Sequence, residues 1–98
     1  MDFPKALERL HAETSQIKIA LEQTSHEIAN KKTLIRSYRE RAFDLKNPPP
    51  FWLLYIYNLK INTAEYYLKQ YFARQKYLID ELENLSRFGT QLLGEYNK

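Results

Sequence analysis

At 98 residues, 44% of them hydrophobic and 28% charged, the chain has room for a single domain and is too apolar for the disordered class. It contains no cysteine, which excludes disulfides and thiolate chemistry. Its formal net charge of +3 is modest for a dedicated nucleic-acid binder.

Only two glycines are present, and three of the four prolines are consecutive, so the chain has few places to turn and must be built from a few long elements. Eight tyrosines, five phenylalanines and one tryptophan make it rich in rings of the kind enriched at interfaces. The start, Met1-Asp2-Phe3-Pro4, lacks the basic and apolar regions of a signal peptide. The longest apolar run, Phe51 to Tyr57, is far short of the roughly 20 residues a membrane span needs. A soluble, cytoplasmic chain is the expectation.

The first predicted element is a helix over 3–46. Phe3, Leu7, Leu10, Thr14, Ile17, Leu21, Thr24, Ile28, Lys31, Ile35, Tyr38, Ala42 and Leu45 are separated by alternating steps of four and three. That is the heptad seam of a left-handed coiled coil. Asp2 suits the cap position and Pro4 the first turn. Thr14, Thr24 and Lys31 place polar groups in the seam, where they fix register or partner; Lys31 alternatively snorkels its ammonium to water.

A corner over 47–50 follows, because each proline of Pro48-Pro49-Pro50 pushes its predecessor out of the α region. A second helix is predicted over 51–87. It carries the same spacing at Leu54, Tyr57, Ile61, Ala64, Leu68, Tyr71, Gln75, Leu78, Leu82 and Leu85, continuing through Gly89, Leu92 and Tyr96. Gly89 reads as a helix end or kink, with Thr90 restarting a short helical tail over 90–97. Two nearly equal arms around one corner predict an all-α fold, a long antiparallel helical hairpin forming a single domain over 1–98 and assembling into a helical bundle. The alternative opens the corner and swaps arms between two chains.

The second helix has more apolar surface than one seam can use. Trp52, Leu53, Tyr55, Ile56, Leu59, Tyr66 and Phe72 lie off the seam, and Leu59, Tyr66 and Ala73 mark the face opposite it. A helix apolar on several sides is normally covered on several sides, so these residues form the candidate partner-binding surface. A tail folded back at Gly89 is too short to reach the corner and cover them.

Charge is also uneven. From Lys31 to Lys76 there are ten basic and three acidic residues, a net of +7; the remainder has five basic and nine acidic, a net of −4. Lys32, Arg36, Arg39, Lys46, Lys69 and Arg74 are the candidate basic surface. It suits an acidic protein or the acidic end of a second copy, an anionic membrane with the corner aromatics at the interface, or nucleic acid; the alternative is a solvated charged face that aids solubility.

No chemistry is visible. His11 and His26 stand fifteen residues apart on one predicted helix, too dispersed for a metal site, and no glycine-rich loop or nucleophile–base pair is present. No enzyme, cofactor, metal or small-molecule substrate is expected. In its heptads and outline the chain is similar to the small helical-hairpin chaperones and co-chaperones of bacterial secretion systems. It also looks like the short coiled-coil subunits of larger complexes such as kinetochores, pores and tethers. The resemblance implies an adaptor or chaperone role in binding other helices and transfers no functional residue.

Overall fold

The computed structural model describes residues 3–96. The fold is all-α, a helical hairpin of two helices, α1 (Phe3–Ala42) and α2 (Phe51–Tyr96), with no strand among the described residues. The expected cap at Asp2, the side chain of the seam residue Tyr96 and the end of the tail at Asn97 lie outside the described residues. The contacts gather into two compact units: a corner unit, Ser25–Ala73, and a terminal unit made of Met1–Thr24 and Arg74–Lys98.

In the corner unit the predicted seams meet. Ile28, Ile35, Ala42, Ile61 and Ala64 are buried, and Leu34, Tyr38 and Leu68 pack against the cluster of Ile35, Ile61 and Ala64. Large isoleucines beside small alanines let the facing layers interdigitate. The rings of Tyr38 and Tyr57 lie 5.6 Å apart, tilted by 43°. Beside the seam, Arg39 Nη2 donates to Glu65 Oε1 at 2.6 Å. The Lys31 and Lys32 ammoniums stand 5.6 and 5.3 Å from the ring centres of Tyr67 and Phe72. Tyr38 meets Tyr57 close to the prolines while Lys31 and Lys32 meet residues further along α2, so the helices run antiparallel. The seam cation Lys31 therefore ends over an aromatic face.

The corner is longer than the prolines alone require. α1 was expected to reach residue 46 and stops at Ala42, where Phe43 N still donates to Arg39 O at 3.0 Å. The reason is Asp44: its Oδ1 accepts from the backbone N–H groups of Lys46 and Asn47 at 3.0 and 3.2 Å. This local turn competes with helix continuation, and Arg39 and Arg41 in the last turn suit a helix end there. Leu45, assigned to the seam by its spacing, consequently lies beyond the helix and is 96% exposed. α2 starts on Pro50, whose carbonyl accepts from both Leu53 N and Leu54 N at 3.0 Å.

The terminal unit buries less. Its seam residues Leu7, Leu10, Ile17, Leu21, Leu82, Leu85 and Leu92 are half-buried, and Leu78 and Thr24 are buried. Thr24 is only 4% exposed, yet its hydroxyl donates to Ala20 O at 2.7 Å within the same helix, so this polar seam group is satisfied locally.

The expected break at Gly89 is absent. α2 runs unbroken to Tyr96 and no glycine has positive φ. Thr90 does not cap a new helix; its hydroxyl bonds back to Ser86 O at 3.1 Å. Gly89 serves packing instead, since a Cβ there would stand 2.9 Å from Leu10 Cδ2.

Candidate functional site

The seam of the corner unit occupies one face of α2 and leaves the others uncovered. Among the residues picked out as surplus, Trp52, Tyr55, Ile56, Leu59, Tyr66 and Phe72 are exposed, Trp52 by 65% and Tyr66 by 60%. Leu53 departs from the set: it is half-buried and belongs to the flank of the hairpin interface. Phe72 is committed in part to Lys32, and Tyr66 packs edge-on to Tyr67 with ring centres 5.6 Å apart.

The exposed residues have an order of their own. Trp52, Ile56, Leu59, Thr63, Tyr66, Gln70 and Ala73 are all exposed and again separated by alternating steps of four and three. They form a second heptad stripe on the side of α2 opposite the buried seam. Thr63 keeps the stripe internally satisfied by donating to Leu59 O at 2.9 Å. Sequence reasoning found five members, Trp52, Ile56, Leu59, Tyr66 and Ala73, and missed Thr63 and Gln70. Being polar, they do not register as apolar surplus, although their spacing marks them. Tyr67, also exposed, was not picked out.

Shallow grooves flank the hairpin interface on either side. One, of about 390 Å³, is lined by Lys31, Leu34, Leu59, Lys60, Thr63, Ala64 and Tyr67. The other, of about 400 Å³, is lined by Lys32, Ile35, Arg36, Arg39, Glu40, Glu65 and Leu68. Of the six predicted basic residues the structure brings three together, Lys32, Arg36 and Arg39, in this second groove. Two carboxylates share it, one of them already bonded to Arg39, so its field is weaker than the cation count suggests. Lys46 lies in the corner, Lys69 is exposed on α2, and Arg74 belongs to the terminal unit. By sequence the corner unit holds eight basic and four acidic residues, a net of +4.

The corner itself exposes Phe43, Leu45, Phe51 and Trp52, four large apolar side chains with Arg41 just before them and Lys46 among them in the chain. Phe43 and Leu45 were not read as surface residues, because the helix end at Ala42 depends on the Asp44 side chain and not on the prolines. Among the described residues no three His, Cys, Asp or Glu side chains group as metal ligands, and no helix is long and apolar enough to cross a membrane. Comparison of the chain with protein-family models, with curated sequences and with solved structures gave no match.

Proposed function

We propose that this protein is a non-catalytic coiled-coil assembly or adaptor subunit, acting in the cytoplasm, that recruits a partner helix onto the outer face of α2 in its corner unit. One observation carries the reading: the exposed heptad stripe from Trp52 to Ala73. A seam of this period is what a second helix covers, and burying side chains such as Trp52, Ile56, Leu59 and Tyr66 stabilises by about 1.5–3 kcal/mol each.

The test is selection of helical peptides from a displayed library on the full chain and on the triple variant Tyr55→Ser/Leu59→Ser/Tyr66→Ser. The wild type enriches peptides with an apolar heptad repeat, and the variant loses them while its far-UV circular dichroism stays near wild type. Enrichment that persists on the variant sinks the proposal.

A second reading has its own observation. Phe43, Leu45, Phe51 and Trp52, exposed around a corner with Arg41 and Lys46, suit shallow insertion into an anionic membrane surface. Co-sedimentation with phosphatidylserine vesicles, lost in Phe43→Ser/Leu45→Ser/Phe51→Ser, supports it; no sedimentation by the wild type removes it.

A further inference from the structure

The outer stripe of α2 also says which helix it takes. The positions bordering it in the corner unit are Leu53, Tyr55, Lys60, Asn62, Tyr67 and Lys69. Every charge among them is a lysine. Residues 51–73 contain a single carboxylate, Glu65, and that carboxylate is held by Arg39 at 2.6 Å on the hairpin side. The groove running beside the stripe adds Lys31 to Lys60 and has no acidic residue in its lining.

Flanking charges set partner choice in coiled coils, because they face the flanks of the incoming helix across the edge of a dry seam. A second copy of this chain docking by the same face forms an isologous contact, in which the patch meets itself. When residues 51–73 of the two copies face each other, neither border supplies a carboxylate to meet Lys60 or Lys69, and the like charge disfavours that pairing. A helix with carboxylates at its flanks turns the same border into attraction. Asn62, Thr63 and Gln70 supply polar groups that help fix the register.

We propose that the occupant of the Trp52–Ala73 stripe is an amphipathic helix of another protein, about three heptads long, apolar at its seam and carrying Asp or Glu at the flanking positions. The proposal rests on the helix-recruiting reading above and specifies the partner within it.

The experiment uses the full chain and three fluorescent four-heptad peptides that share a leucine seam and differ only in carrying Glu, Gln or Lys at the flanks. Anisotropy titrations are run at low and high salt. The Glu-flanked peptide binds at least ~10-fold tighter than the Lys-flanked one, with the gap narrowing as salt rises. Lys60→Glu/Lys69→Glu, at two exposed positions, reverses the order, and Leu59→Ser/Tyr66→Ser removes binding of all three.

Equal binding of the three peptides, or an order that Lys60→Glu/Lys69→Glu leaves unchanged, overturns the acidic-partner inference while keeping α2 as a helix-binding face. A chain that self-associates on a sizing column with light scattering, and becomes monomeric in Leu59→Ser/Tyr66→Ser, makes the second copy the occupant and overturns it too. Binding of no peptide, or binding indifferent to Leu59→Ser/Tyr66→Ser, overturns the helix-recruiting reading as well.

Discussion

The corner unit and the terminal unit are made from the same two helices and the same alternation of threes and fours, yet they use it differently. The corner unit sets isoleucine against alanine, buries Ile28, Ile35, Ala42, Ile61 and Ala64, and fences the seam with an Arg39–Glu65 ion pair and two lysine–aromatic contacts. The terminal unit lines its seam mostly with leucine, leaves those leucines half-buried, and buries only Leu78 and Thr24 among its described residues. The unit with the better-closed seam also exposes the second stripe. A heptad repeat thus specifies that helices meet, while the sizes of the residues along it decide how closely they do. A tightly packed pair also provides the stiff platform that a recognition face needs.

The largest effect that bears on this contrast is loss of the corner core. Ile35→Ala removes a buried side chain touching Ile61, Ala64 and their neighbours and should cost about 3 kcal/mol in urea unfolding followed by circular dichroism. Leu78→Ala, at a position just as buried but among half-buried leucines, should cost less, nearer the lower bound of about 2 kcal/mol. Equal losses would mean that the two units are equally well packed, and the contrast would fail.

An intermediate effect belongs to Asp44. Replacing it with alanine deletes two acceptor contacts to backbone N–H groups and should lower stability by about 1 kcal/mol. Amide exchange should then show α1 protection extending past Phe43 toward the prolines. Unchanged exchange at residues 43–46 would show that something other than Asp44 ends the helix.

Why the helix end and the outer stripe were only partly legible in the sequence follows from these same residues. Periodicity is a property of long runs, so both seams and the apolar surplus of α2 can be read directly from spacing. Of the seam assignments on described side chains, Leu45 alone is exposed. The end of α1 depends on one carboxylate choosing its own backbone over the helix, a contest that spacing does not record. Gly89 misled for a related reason: glycine at a helix end is common, but here its missing Cβ makes room for Leu10. Thr63 and Gln70 stayed hidden in a stripe otherwise recognised by apolar residues.

The smallest expected effects come from the two glycines of the terminal unit. Gly94→Ala meets no heavy atom within 4 Å and should raise stability by about 0.5–1 kcal/mol through helix propensity. Gly89→Ala has the same propensity gain but crowds Leu10 Cδ2, so its net effect on the thermal midpoint should be smaller than that of Gly94→Ala. If the two substitutions raise the midpoint equally, Leu10 has room to yield and the close contact carries no constraint.

The turn held by Asp44 and Pro50 also sets an order of events in folding. Tyr38 and Tyr57 are nineteen residues apart in the chain, whereas Leu10 and Gly89 are separated by seventy-nine. Loop-closure entropy grows with the length closed, so the first contact is reached cheaply and each later pair closes only a small additional loop once its neighbour is in place. The hairpin therefore zips from the corner outward.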